Sequence, residues 1–230
     1  MINILLDVIN YILVAILIGV SATWIALIKS MLRTFNESPF LDKFEKKEHE
    51  KPRVSVILPA RNEEKFIEKC LNSLLNQDYD NYEIITINDS STDSTGNIIK
   101  EYSKKFPKII SVDAKPKPDG WIGKNWACIE GYKKASGDLL LFTDADTTHT
   151  GSVISLAVSH LLSLELDALT VIPRMLCLDK ITKITLPMIS TFLHTRFSAL
   201  RVNDASKGTG YFFGSFFIIK KSTYDSVGTH

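Results

Sequence analysis

Hydrophobic positions fall into two regimes along the chain. From Val8 to Ile28 they run as 21 residues without a charge, rich in Ile, Leu, Val and Ala. As a helix that run reaches about 32 Å at ~1.5 Å per residue, enough to cross a bilayer. After Pro52 the pattern changes: short β-branched runs alternate with stretches of helical period, the form of a mostly parallel α/β sheet flanked by helices.

Within that second regime, strands are expected at Val54 to Leu58 (stopped by Pro59), Glu83 to Ile87, Ile109 to Val112, Asp138 to Thr143, Ala168 to Ile172 and Tyr211 to Ile219. Helices are expected at Asn62 to Asn76, Thr92 to Tyr102, Lys124 to Ala135 and Ser152 to Leu164. The first has Phe66, Ile67, Cys70, Leu71, Leu74 and Leu75 on one stripe, with Glu63 and Glu64 where acids favour a helix start. Ile181 to Leu200 is a long, apolar-biased helical segment carrying Pro187. It either lies along a membrane surface with Arg196 and Arg201 outward or packs into a core, and the sequence leaves both open.

A cleaved signal would begin with a basic region and end on small residues, whereas Asp7 precedes this apolar run and Trp24 and Leu27 close it. A retained anchor over residues 1–33 is therefore expected. Lys29 and Arg33 follow the run and no Lys or Arg precedes it, which places the C-terminal side in the cytoplasm. Residues 34–52 read as a solvated, mixed-charge linker, and 53–230 as the globular domain.

Lys plus Arg (27) nearly balance Asp plus Glu (26), for a net charge of +1, so no broad field for gripping nucleic acid is present. The three cysteines, Cys70, Cys128 and Cys177, lack the spacing of a zinc site or redox motif and read as thiols in a reducing compartment. His49, His149, His160, His194 and His230 show no metal-ligand spacing, and no Ser-His-Asp or Cys-His order suggests covalent catalysis. Lys207 to Gly214 is glycine-rich but precedes a strand, so it is not a dinucleotide fingerprint.

Chemistry concentrates at three predicted strand ends: Pro59 to Glu63, Asn88 to Asp93, and Asp144-Ala145-Asp146. In an open α/β sheet, ligands bind beyond the carboxyl ends of strands, so these clusters are expected to share one crevice. Asp144 and Asp146, two apart on extended chain, can aim both carboxylates to one side. That is a hard-oxygen site for Mg²⁺ or Mn²⁺, completed by water and substrate phosphate. Alone, Asp-x-Asp is usually a surface turn; its place after an apolar LLLF strand favours the metal. Asp89 can accept a hydrogen bond from a uracil imide, while Ser91, Thr92 or Asp93 caps the next helix. Lys124, at a predicted helix start after Gly120 and Gly123, places a cation and free backbone N–H groups where a phosphate can sit. Trp121 is a candidate surface for sugar or lipid, and Trp126 reads as packing.

The runs VSVILPARNEE, EIITINDSSTDST and GDLLLFTDAD resemble, in that order, the family 2 glycosyltransferases of the GT-A fold over about Val54 to Gly228. The resemblance implies an inverting transferase using a nucleotide-diphospho-sugar. It implies nucleoside and diphosphate contacts at Ala60, Glu63, Asp89 and Asp144, with metal on Asp144 and Asp146. Pro118 to Trp126 resembles the subset acting on hopanoid, carotenoid and other membrane-lipid acceptors. Gly214 and Ser215 would then border the acceptor side. Asn88 departs from the family, where a second Asp is common.

The expected activity is sugar transfer to a lipid or polyprenyl-linked acceptor at the cytoplasmic membrane face. In the family a Glu-Asp pair supplying the general base lies roughly ten residues past a turn like Ser226 to His230. That base is expected beyond His230, so a second reading is a membrane-tethered fragment that binds nucleotide-sugar without transferring it. A nucleotidyltransferase would want a Gly-rich first loop with a following lysine, which ILPARNEE lacks.

Overall fold

The computed structural model describes residues 2–37, 41–43, 46, 50–177 and 179–229. In chain order it contains α1 (Ile2–Glu37), a 3-10 turn (Leu41–Lys43), β1 (Val54–Ala60), α2 (Ile67–Leu75), β2 (Tyr82–Asn88), α3 (Thr95–Lys105) and β3 (Ile109–Asp113). There follow α4 (Gly123–Tyr132), β4 (Leu139–Thr143), α5 (Val153–Ser163), β5 (Ala168–Thr170), α6 (Lys180–Phe197) and α7 (Ala199–Val202). A second 3-10 turn (Ala205–Lys207), β6 (Phe216–Lys220) and α8 (Lys221–Ser226) complete the series. The chain divides into two compact units, residues 1–39 with 175–211 and residues 40–174 with 212–230.

In the larger unit the strands form one sheet in the order β3-β2-β1-β4-β6-β5. The first four are mutually parallel, with Val54 paired to Tyr82 on one side and to Leu139 on the other. β6 runs antiparallel to both β4 and β5. Parallel strands carry side chains to two covered faces, so the strands read as continuous apolar runs. Val54, Val56 and Leu58 meet α2, α3 and α5 on one face, through residues such as Leu71, Ile99 and Ile154. Ile57, Ile85, Ile87, Leu140 and Phe142 meet α4 and α8 on the other, through Ala127, Cys128 and Tyr224. The expected class, a mostly parallel sheet flanked by helices, is the one observed.

Two close approaches fix this packing. A Cβ on Gly131 would lie 2.5 Å from the Ile87 side chain, and one on Gly137 would lie 2.6 Å from the Arg53 carbonyl oxygen. Glu83 is buried at 5% exposure where β2 meets the turn before β4. It accepts hydrogen bonds from the Ser55 hydroxyl (2.6 Å), the Ser136 amide (2.8 Å) and Arg53 (3.0 Å). Burial pushes its carboxyl up, but these donors outweigh it and hold the group below its usual range.

In the other unit, α1 is long and apolar enough to cross a membrane. α6 opens on Asp179, whose carboxylate accepts from the Thr182 amide at 2.8 Å. No residue of α6 is buried, so the core-packing alternative for this segment finds no support. Phe197 stacks on Tyr211 at 4.7 Å between ring centroids. Residues 38–40, 44–45 and 47–49 of the expected linker lie outside the described residues, as does His230.

Candidate active site

Because β1, β2 and β4 are parallel, their carboxyl ends share one edge of the sheet, and the strand order reverses direction between β1 and β4. That is the switch point where loops diverge and leave a crevice. The loop after β1 and the loop after β2 are tied together. The Asp89 amide donates to the Ala60 carbonyl at 2.9 Å, and the Asn62 amide donates to the Ser91 hydroxyl at 3.2 Å. Asn62, at φ 58°, in turn accepts from the Thr92 amide at 2.9 Å. The Glu63 amide donates to Thr95 Oγ1 at 2.8 Å, and the Glu64 amide to the Asp93 carboxylate at 3.2 Å. Asp93 also accepts from the Thr95 amide at 3.0 Å, but the N-cap position of α3 falls on Ser94, whose side chain makes no capping hydrogen bond, so the cap is not at Ser91, Thr92 or Asp93 as expected.

Asp144 and Asp146 follow β4 directly. Between them Ala145 is buried at 4%, while Asp144 is half-buried and Asp146 exposed. Glu63 lies close enough to feel both: burial first, then Asp146, Asp144 and Asp93, raise its carboxyl above the ordinary range. Cys70, whose thiol donates to the Asp144 carbonyl at 3.6 Å, is pushed up to about 12 by burial and the same carboxylates. The first and third strand-end clusters are therefore electrostatically one site.

α4 links the second cluster to the third. A Cβ on Gly123 would stand 3.5 Å from Asp89 Oδ2, so Asp89 faces the first turn of α4. The next residue, Lys124, places its ammonium on the Asp144 carboxylate. A Cβ on Gly214 would lie 3.5 Å from that ammonium. Thr143 donates its hydroxyl to the Ser215 carbonyl at 2.9 Å, because antiparallel pairing sets Phe216 opposite Thr143. Ala60, Glu63, Asp89, Lys124, Asp144, Asp146, Gly214 and Ser215 thus meet at one rim. Trp121 packs edge-on to Trp126 at 5.3 Å, and Trp126 is held by its ring N–H to the Lys115 carbonyl at 2.8 Å.

Two further participants join them: Arg61, which was not singled out from the sequence, and Asn88, noted there only as a departure. Arg61 extends to within 3.8 Å of Asp89 Oδ2, although it stands inside the PARNEE run that pointed to this loop. Asn88 donates to Asp113 Oδ1 at 2.9 Å and accepts from the Ser91 amide at 3.2 Å. An aspartate at 88 would oppose the Asp113 carboxylate, which gives the departure from the family pattern a local reason. Among the described residues no three His, Cys, Asp or Glu side chains form a metal-holding group. The donor set of Asp144 and Asp146 fits a hard cation that takes its remaining ligands from water and phosphate.

A mixed sheet of this order, with acidic loops gathered at the switch point, defines the GT-A class. Residues 55–228 match Glycosyl transferase family 2, and the chain belongs to that family. It is 36% identical over 142 residues to the probable glycosyltransferase YdaM of Bacillus subtilis, covering 57% of this chain and 33% of that protein. It is 37% identical over 127 residues to the 4,4'-diaponeurosporenoate glycosyltransferase of Staphylococcus haemolyticus, covering 55% and 32%. The matches thus span about a third of the length of these relatives. Among solved structures, the mannosyltransferase PcManGT of Pyrobaculum calidifontis, in complex with GDP-Man and Mn²⁺, superposes with a TM-score of 0.64 at 20% identity. That alignment covers 92% of this chain and 57% of the other, and it establishes the shared fold.

Proposed function

We propose that residues 53–230 form a glycosyltransferase domain that takes a nucleotide-diphospho-sugar into the crevice after β1, β2 and β4. Its sugar goes, with inversion, to a lipid or polyprenyl-linked acceptor. In this reading residues 1–33 anchor the domain at the cytoplasmic face of the membrane, and 34–52 are the linker. Ala60, Glu63 and Asp89 receive the nucleoside, Lys124 and Asp144 the diphosphate, and Trp121, Gly214 and Ser215 border the acceptor. The observation that carries the proposal is the continuity from Asp89 through Gly123 and Lys124 to Asp144, which sets a carboxylate, a helix start and a cation side by side along one rim.

The chemistry is a single displacement. An acceptor hydroxyl oxygen bonds to the anomeric carbon as the bond from that carbon to the diphosphate oxygen breaks. The hydroxyl proton passes to a base, and the bonding pair leaves with the diphosphate. Lys124 and the amides opening α4 would stabilise charge on the departing phosphate. Asp144 and Asp146 would hold Mg²⁺ or Mn²⁺, which when bound supplies Lewis-acid neutralisation of that charge. The Mn²⁺ bound with GDP-Man in the mannosyltransferase of the same fold, and the lipid-type acceptor named for the staphylococcal relative, are consistent with this choice of cation and acceptor.

Calorimetry with UDP and GDP, each with Mn²⁺, tests the proposal. The wild-type chain is expected to bind one of them, and Asp144→Ala with Asp146→Ala to weaken that binding by at least about ten-fold. Equal affinity in the double variant would reject the assignment.

A further inference from the structure

We propose that the unit containing α1 carries a second site, for the phosphate of an anionic membrane lipid, in the cavity where α1 meets α7 and the second 3-10 turn. The cavity has a volume of about 780 Å³. Lys29 and Arg33 of α1 enter its wall one helical turn apart, and Arg201 and Lys207 enter from the opposite segment. Against these four cations the lining holds one carboxylate, Asp204, leaving a balance of +3. Asp204 already accepts from the Ser206 amide at 3.0 Å and hydroxyl at 2.6 Å, as the cap of the 3-10 turn.

The cations are not explained by pairing. Arg33 gives its Nε to Glu37 at 2.8 Å in an exposed pair, which uses one of five guanidinium donors. Among the described residues Lys29, Arg201 and Lys207 form no salt bridge. Like charges gathered around one concavity repel and raise the local potential, so an anion entering it relieves a cost the fold otherwise bears. The forked guanidinium groups of Arg33 and Arg201 match phosphate oxygens in geometry.

Two features make that phosphate a lipid's. Lys29 follows directly on the uncharged run that ends at Ile28, so a membrane-crossing α1 sets the cavity at headgroup depth on the side where juxtamembrane cations meet anionic lipid. Independently, α6 of the same unit leaves Ile181, Ile184, Met188 and Phe192 at 68–74% exposure. At spacings of three and four residues these side chains form one apolar stripe, the signature of a helix lying in the interface. Cations for the headgroup and apolar surface for the acyl region therefore occur together. The inference rests on the membrane reading of α1 and not on sugar transfer.

Native mass spectrometry of the full chain from neutral detergent, with phosphatidylglycerol or phosphatidylcholine added, provides the test. Phosphatidylglycerol is expected to be retained at least about five-fold better than phosphatidylcholine. Arg201→Gln with Lys207→Gln, and separately Lys29→Gln, are expected to abolish that preference at unchanged helical content. Arg201→Lys with Lys207→Arg should retain most of it. Lys104→Gln with Lys105→Gln, which removes two cations from the end of α3, should leave it intact. Loss of preference in that control, or no loss in the cavity variants, would overturn the site. Displacement by inorganic phosphate as readily as by lipid would overturn the lipid as its source. UDP binding measured on the same variants separates this result from the fate of the transferase reading, since it is expected to stay unchanged.

Discussion

The ammonium of Lys124, in the first turn of α4, rests on the carboxylate of Asp144 just beyond β4, twenty positions along the chain. Both side chains are substantially exposed, so the pair adds little to stability. Its consequence is positional: it holds a cation beside the unsatisfied amides of a helix N-terminus, with Asp89 a short distance away across Gly123. Lys124→Gln is expected to weaken UDP binding about ten-fold while leaving uridine binding and the thermal midpoint nearly unchanged. Calorimetry with both ligands reads this directly. An equal loss for uridine would mean that Lys124 serves the nucleoside or the fold, not the diphosphate.

The rim was legible in the sequence because each cluster stands where an apolar run turns abruptly polar, and parallel strands carry such ends to one edge. What the sequence concealed was set by distant partners. Pro59 reads as a stop, yet β1 continues to Ala60. Pro59 stays in register with Ile87 of β2, but the β1/β4 ladder ends at Ile57 opposite Phe142, so beside Pro59 the strand is unpaired on its β4 side, where a missing N–H is tolerated. Helix α2 begins at Ile67 and not at Asn62, because Asn62, Glu63 and Glu64 are drawn into the loop after β2 by Ser91, Thr95 and Asp93. Those bonds span about thirty residues and leave no periodic trace. The late strand is shorter than Tyr211 to Ile219 because a turn at Gly214 and Ser215 delays it until Phe216.

Gly137 is a packing requirement and not a flexible joint. A Cβ there would approach the Arg53 carbonyl oxygen at 2.6 Å and the Ser55 amide nitrogen at 2.7 Å, both backbone atoms of the central strand region. Its own amide donates to Ser55 Oγ at 2.8 Å, within the network that neutralises buried Glu83. Gly137→Ala is expected to cost about 2–3 kcal/mol in chemical denaturation, as overpacking against rigid backbone does. A change within about 0.5 kcal/mol would show that the turn before β4 relaxes freely.

Thr86 stands fully buried on β2, between Leu58 of β1 and Ser111 of β3, and among the described residues its hydroxyl oxygen has no hydrogen-bond partner. A buried unpaired hydroxyl carries its desolvation cost without return. Thr86→Val keeps the β-branched shape favoured in a strand and removes that cost, so a gain of roughly 1 kcal/mol is expected. Equilibrium denaturation measures it, and a loss of stability would reveal a donor or acceptor reaching Thr86 in solution.

His149 makes the stability of the sheet unit depend on pH. Its ring meets Thr143 Oγ1 at 3.1 Å and faces Phe216, and burial lowers its pKa from 6.5 to about 4. The folded state therefore binds fewer protons than the unfolded chain between those values, and stability must fall as pH drops from about 6.5 towards 4. The slope approaches about 1.4 kcal/mol per pH unit, up to roughly 3 kcal/mol across the window. Burial also lowers His160, which adds to the same sense. Carboxylates such as Glu83, held low by their donors, lose their contribution only at lower pH still. His149→Gln is accordingly expected to be less stable than wild type at pH 7 but to lose less on acidification, so that the two denaturation curves converge near pH 4.5. Parallel curves between pH 7 and 4.5 would mean that His149 titrates in the fold as it does in the unfolded chain, and that the ring is solvated where Thr143 meets β6.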